Sequence, residues 1–397
     1  MRSKMIGGIL LIVGTTIGGG MLALPIVTAQ GGFWGASLLL IASWMVMTFS
    51  AFLLLEVNMW MPSNSNIILM AKNALGGWAE IIAWFCYLLL FYCLLAAYIA
   101  GGSDILHGLM SAMGFETSIQ LDCIIFTLIL AAVVFNGIQF VDYTNRGLMF
   151  IKVTAFILLV GFIVPHVHVS RFNEGEIKYL VPAFTVVMTS YGFSTLIPSL
   201  RSYFQNDLQK LRKVILIGSL IPLGCYIAWV AVIFGGIPYS GEFGLLSMTQ
   251  SDHSTLALTQ SLIHELHNSS VTTLTRLFTS ICVVTSFLGV SLCVVDFLAD
   301  GFRLDKIGMP KVFLHAATFI PPLVIAIIYP TAFIVGLNYA GICLAVLIIL
   351  FPALMVWKGR YIKKINASYR VIGGKLPIVL VIIVSLLIIF QGIFWRA

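Results

Sequence analysis

Charge is what this chain has least of. Lys, Arg, Asp and Glu together make up 9% of its 397 residues, well below the share a soluble globular domain carries on its surface. Seven cysteines are present (Cys86, Cys93, Cys123, Cys225, Cys282, Cys293 and Cys343). Their number is odd, none has metal-site spacing, and all fall in apolar stretches, which excludes a disulfide framework and reads as packing. No Gly-x-Ser-x-Gly or P-loop string occurs, so neither acyl transfer nor nucleotide binding is indicated. His264-Glu265-x-His267 lacks the spacing of His-Glu-x-x-His and reads as the wet face of a helix. No enzyme, cofactor or metal is expected from this inventory.

What is there is apolar. Hydrophobic residues reach 60% and mean hydropathy is +1.05. Eleven stretches are each long enough for the roughly 20 residues a bilayer crossing takes: 5–30, 33–60, 77–106, 121–138, 146–166, 179–199, 212–236, 272–300, 311–329, 332–356 and 373–394. The chain therefore reads as one all-α polytopic membrane domain, 1–397. The first stretch is too long for a signal-peptide h-region and reads as a retained span. Placing the N-terminus in the cytoplasm puts 18 of the 22 basic residues inside and leaves Arg171, Lys178, Arg276 and Arg396 outside, as the positive-inside rule asks. The net charge of +7 is thereby accounted for by orientation, without a nucleic-acid partner; the bilayer is the partner, and no obligatory protein partner is inferred. An odd number of spans leaves the C-terminus on the far side.

Two of these spans share a break. Gly14-Thr15-Thr16-Ile17-Gly18-Gly19-Gly20-Met21-Leu22-Ala23-Leu24-Pro25 and Met188-Thr189-Ser190-Tyr191-Gly192-Phe193-Ser194-Thr195-Leu196-Ile197-Pro198 each place proline six residues after a glycine (Gly19 to Pro25, Gly192 to Pro198). Glycine and proline weaken helical continuity, and bared peptide groups at membrane depth persist only where something polar meets them. Interrupted spans at corresponding places in two halves are the sequence pointer to a transporter's substrate site. Spans 1–5 (5–166) and 6–10 (179–356) are odd in number, so the second set is inverted relative to the first; span 11 (373–394) is an addition. The breaks open each half, as discontinuous helices 1 and 6.

The strings GTTIGGGMLALP, TSYGFSTLIPSL, LRKVILIGSLIPL and SFLGVSLCVVDFLAD resemble the hydroxy and aromatic amino acid permeases, in particular their tyrosine-specific branch, relatives of the amino acid–polyamine–organocation superfamily. The resemblance covers nearly the whole chain. It implies a leucine-transporter-like five-plus-five inverted repeat and a proton-coupled importer of an aromatic amino acid, tyrosine first, in the bacterial inner membrane. Tryptophan, or serine and threonine, are the sibling substrates, and a passive facilitator or channel is the alternative of another class. Ser194-Thr195 stand where these permeases usually carry His and a small residue.

For an amino acid zwitterion, the amides of Gly18, Gly19, Gly20 and Met21, at the positive end of a half-helix, suit the carboxylate. The carbonyls of Thr15, Thr16 and Ile17, and of Thr189, Ser190 and Tyr191, suit the ammonium. Gly192 opens the second break, with Phe193 as a gate or ring partner and Ser194 beside it. On span 3, Tyr92 is placed to touch substrate, with Tyr98 above it. Ionisable groups inside spans are functional candidates by default, here Glu56, Lys152 and Asp296. Helix rise puts Asp296 and Lys152 roughly 6 and 9 Å from their cytoplasmic ends, a shared depth. In related sodium-coupled carriers spans 1, 5 and 8 enclose an ion, and the resemblance implies that Lys152 takes that place and exchanges a proton. Sodium, with Thr285, Ser286 and Ser291 as oxygens, is the alternative. Glu56 reads as a group of the cytoplasmic gate, and Asp104 as a solvated group at the outside. The segment 254–267 reads as a surface helix over the outer vestibule, with Leu258, Leu262, Ile263 and Leu266 on one face.

Overall fold

The computed structural model describes residues 2–62, 65–266, 269–329, 331–365 and 369–394. Among the described residues every element is helical. Among those residues nine segments are long and apolar enough to cross a membrane, and Lys4–Thr16 and Ile119–Phe135 are shorter apolar helices. All eleven stretches read from the sequence are helical, several of them in more than one piece.

The first span is α1 (Arg2–Thr16) followed, after a bend at Ile17 and Gly18, by α2 (Gly19–Thr28). Then come α3 (Gly32–Met59), the short α4 (Ile67–Leu75) and the long α5 (Gly77–Ala112). Asn66 caps α4, its side chain accepting from Leu69 N–H at 2.8 Å. Gly76, at φ 116°, ends α4 in a conformation open to glycine and redirects the chain into α5. Next are α6 (Ile119–Phe135) and α7 (Ile138–Ile163). A 3-10 stretch, Ile177–Ala183, leads into α8 (Phe184–Thr189), which breaks at Ser190 and Tyr191 and resumes through the 3-10 turn Gly192–Leu196 into α9 (Ile197–Tyr203). Pro198 falls in the first turn of α9, where its missing N–H costs nothing.

The second part continues with α10 (Leu208–Gly236), α11 (Leu245–Gln250), α12 (Ser254–Leu266), α13 (Ser269–Phe302) and α14 (Gly308–Ile328). It closes with α15 (Ala332–Leu344), a π-helical turn at Ala345–Leu350, α16 (Phe351–Trp357) and α17 (Lys375–Phe394). The broken pair is held centrally. Helix α5 packs on α6, α13, α14 and α15; α10 packs on α1 and α3; α13 packs on α7 and α2; and α8 packs on α15, α3 and α2.

Helix α12 buries the face marked by Leu258 and Leu262 and leaves Gln260 and His264 exposed. Thr255, Leu258 and Leu262 are buried, and the helix packs on α13, α5 and α2, so it is seated in the bundle over the second half of the first span. Leu266's side chain and His267 lie outside what the structure describes.

Candidate functional site

The two breaks meet. Gly18 is extended (φ −150°, ψ −153°) and serves as the N-cap of α2, so the amides of the first turn of α2 have no earlier helical carbonyl to bond. The three consecutive glycines have a steric reason. A Cβ on Gly18 would collide with the Ser286 hydroxyl, one on Gly19 would stand 2.8 Å from the Tyr98 ring, and one on Gly20 would stand 3.0 Å from Ser190 Oγ. Helices α13, α5 and α8 thus each reach the backbone of the first break directly.

The bared peptide groups have partners from the protein itself. Gly19 N–H donates to Ser286 Oγ at 2.8 Å, and Met21 N–H donates back to Gly18 O at 3.1 Å. Lys152 Nζ of α7, buried, donates to Ile17 O at 2.6 Å and to Thr285 Oγ1 at 3.2 Å. The Tyr226 hydroxyl of α10 lies 2.6 Å from Thr16 O and 2.7 Å from Ser190 O. One O–H is therefore shared between a carbonyl of the first break and a carbonyl of the second. Tyr226 is the residue that joins the two breaks, and the sequence reading missed it; a tyrosine well inside an apolar span, whose hydroxyl must find an acceptor when buried, was the available signal.

Two buried hydroxyls of the second break, Tyr191 Oη and Ser194 Oγ, have no hydrogen-bond partner among the described residues. Tyr191's ring packs edge-on to Tyr226 at 5.2 Å, and Phe193 is fully buried. Buried polar atoms left unpaired cost about 1–3 kcal/mol each, so both oxygens would gain from a polar partner. The Thr189 hydroxyl is committed elsewhere, to Thr185 O at 2.8 Å and Leu337 O at 3.1 Å. Thr15 is exposed and bonds Leu11 O, while the Thr16 hydroxyl bonds Ile12 O.

Several expected residues lie elsewhere. Tyr92 donates to Ala317 O of α14 at 2.7 Å, directed away from the breaks; Tyr98, two turns further along α5, is the tyrosine that touches them. Asp296 does not meet Lys152. It pairs with Lys306 at 2.6 Å and is half-exposed. The reason is a helix boundary: α7 begins at Ile138 instead of 146, so Lys152 sits about 21 Å along it, level with Thr285. Asp296 lies 11 residues further along α13, about 16 Å away.

Glu56 is fully buried at the end of α3. It accepts two bonds from the Arg360 guanidinium, Nε at 2.7 Å and Nη2, and a third from Val371 N–H at 2.7 Å. Beside it, Arg201 donates to Asn58 O, to Met61 O at 2.8 Å and to Asn206 Oδ1 at 2.6 Å. A cavity of about 260 Å³ lined by Asn66, Tyr87, Thr195 and Ser199 opens at the same end. Asp104 lies 27 residues after Gly77 on α5, about 40 Å along the helix, at the opposite end. It is buried, not solvated, and pairs with His253 Nδ1 at 2.8 Å. Nearby His107 Nδ1 pairs with the buried Asp122 at 2.9 Å, and both imidazoles line a cavity of about 320 Å³. The Asp104 carboxylate holds the His253 imidazolium above its ordinary pKa. Among the described residues no group of three His, Cys, Asp or Glu is arranged to hold a metal ion.

The chain matches the model of the tryptophan/tyrosine permease family over residues 1–391. It is 34% identical over 392 residues to tyrosine-specific transport system 2 of Haemophilus influenzae, covering 98% of this chain and 96% of that one. It is 32% identical to the tryptophan-specific transport protein of the same organism (97% and 94% covered), and 30% identical to glutamine transporter 2 of Aliivibrio fischeri (99% and 100%).

Proposed function

The chain belongs to the tryptophan/tyrosine permease family, and on that premise we propose that it is a proton-coupled symporter. Its cargo is an aromatic amino acid, most closely tyrosine, imported across a bacterial inner membrane by alternating access. Tryptophan is the next substrate to test, and glutamine follows because a relative of equal coverage carries that name. In this reading the architecture is a leucine-transporter-like five-plus-five inverted repeat, 5–166 and 179–356, with α17 added and the N-terminus cytoplasmic. Scarcity of charge at the centre supports a carrier of zwitterions. The half-helix α2 offers the amide of Gly20, that of Gly19 once Ser286 yields it, and the positive end of a dipole to a carboxylate. Carbonyls of the second break face the ammonium, and Tyr191 Oη and Ser194 Oγ await polar atoms of the guest.

The observation that carries the proposal is the contact of Lys152 with the first break. Its ammonium binds Ile17 O and Thr285, so α7, α13 and the α1–α2 joint are held by one proton-bearing group. Loss of that proton removes the charge that strengthens both bonds and so loosens the joint. Proton occupancy and helix position are thereby linked. Asp296 has no part in this step, and Glu56 belongs to the closure at one end.

The test is uptake into proteoliposomes. Labelled tyrosine is expected to accumulate under an inward pH gradient and to stop accumulating when a protonophore is added. Lys152→Ala is expected to abolish accumulation while leaving downhill exchange measurable. Undiminished accumulation in Lys152→Ala removes the coupling role; gradient-independent, bidirectional flux in the wild type favours a passive facilitator.

A further inference from the structure

Gly19 N–H is the first free donor of α2, and it is already occupied by a side chain 267 residues away, Ser286 Oγ at 2.8 Å. The same oxygen fills the space beside Gly18, where a Cβ would collide with it. The Tyr98 hydroxyl interacts with the same serine while its ring lies against Gly19. Ser286 itself is only partly buried, unlike its neighbours Thr285 and Phe287. Its hydroxyl offers a neutral acceptor where the helix end favours an anionic one.

We propose that Ser286 is an affinity-setting residue: an internal stand-in for the substrate carboxylate, which holds the Gly19 amide while the transporter is empty and yields it when an amino acid binds. The proposal rests on the reading that the tip of α2 receives the carboxylate. Without an acceptor, the amide would be an unpaired donor at membrane depth, so the empty carrier needs one. A carboxylate displaces a hydroxyl because charge-assisted bonds to N–H are about twice as strong as neutral ones. The exchange sets affinity, since each binding event breaks the Ser286–Gly19 bond before the new one forms. It also selects the class of guest: a molecule with no carboxylate, such as tyramine, has nothing with which to replace the serine.

The experiment measures L-tyrosine binding to the full-length protein in nanodiscs by calorimetry, for wild type, Ser286→Ala and Ser286→Cys. Removing the competing acceptor is expected to tighten binding, with Kd falling about two- to tenfold in Ser286→Ala, the range given by one net hydrogen bond. Ser286→Cys, with a weaker acceptor of similar shape, is expected to fall in between. Hydrogen exchange of the peptide spanning 14–25 gives a second readout. It is expected to rise in empty Ser286→Ala and to return to the wild-type level when tyrosine is added. A merely structural serine would lower protection with and without tyrosine. An unchanged or raised Kd in Ser286→Ala overturns the proposal, and so does exchange that tyrosine fails to restore. If Ser286→Ala does not fold, a Ser286→Cys Kd at or above the wild-type value overturns it equally. Absence of aromatic amino acid binding to the wild type overturns the transporter reading itself, which separates the two failures.

Discussion

Near one end of the molecule two guanidinium groups hold buried acceptors; near the other, two imidazoles face buried carboxylates, with Arg171 also bonding Gly235 O and Gly236 O there. Arg360 binds Glu56 and Arg201 binds the backbone around Asn58 and Met61, whereas His253 binds Asp104 and His107 binds Asp122. All four partnerships involve buried acceptors, so geometry does not separate them. Chemistry does. Arginine stays charged at every pH a cell meets, and histidine changes charge within that range. The Glu56 end is thus a fastening that proton concentration leaves alone. The Asp104 end tightens and loosens with it, and His253 stands directly before α12, which packs across α2 and α5. The two ends of the molecule therefore differ in how they answer to pH.

The largest test of the contrast removes Arg360. A buried pair broken on one side leaves an uncompensated charge, at a cost of about 3–5 kcal/mol. Arg360→Ala is expected to lower the melting temperature sharply at every pH between about 5.5 and 8.5 and to abolish uptake. Glu56→Leu with Arg360→Leu is expected to recover most of the stability, short of what the orphaned Val371 amide costs. A single-variant loss that varies with pH would deny the claim of a pH-independent end. Arg201→Lys comes next, at about 2 kcal/mol, because an ammonium lacks the fork that reaches Asn58 O, Met61 O and Asn206 together. It too is expected to be flat with pH.

The opposite end is expected to behave otherwise. His253 has a raised pKa in the folded protein, so the pair's contribution is fully present below the ordinary imidazole value. It is lost as pH rises through the folded value. The other titratable groups facing the pair are Asp252 from the same turn, His107 from α5, and Asp122 and Cys123 from α6; α14 presents Ala326 and Ile327. Asp104→Asn is expected to cost about 1 kcal/mol at acid pH and nothing near pH 8.5. The measurement is thermal unfolding across pH, wild type against variant. A wild-type acid-side advantage that survives in Asp104→Asn would show that the His253–Asp104 pair is not its source.

The sequence was readable to very different depths along the chain. Both breaks were legible, because Gly18-Gly19-Gly20 and Gly192 carry their signal in the backbone itself. Lys152 was legible because an ammonium inside a span is rare and must be solvated by something. Tyr226 went unread and Ser286 was read only as an oxygen for a sodium ion, since a hydroxyl on an apolar helix gives no hint of which backbone it will meet 36 or 267 residues away. Tyr92 was preferred to Tyr98 from its place near the middle of span 3, yet six residues on a helix turn through different faces and only Tyr98 faces α2. Asp104 read as solvated because its partner, His253, arrives from a loop 149 residues later.

The smallest expected effect concerns Asp296, the residue for which sequence and structure differ most. Position in a span and the positive-inside count both made it a neighbour of Lys152. The structure instead gives it Lys306, from the turn after α13, with about half of each side chain exposed. Exposed pairs contribute about 0–1 kcal/mol, screened by salt, and nothing links this one to the breaks 16 Å away by helix rise. Asp296→Asn is therefore expected to leave concentrative uptake and its pH dependence within error of the wild type, and to shift melting by no more than about 0.5 kcal/mol equivalent. Uptake in Asp296→Asn that tracks Lys152→Ala would show that the carboxylate reaches the lysine in another state of the cycle. Proton coupling would then be a two-residue device, and the contrast between the ends would have to include a charge that changes partners between them.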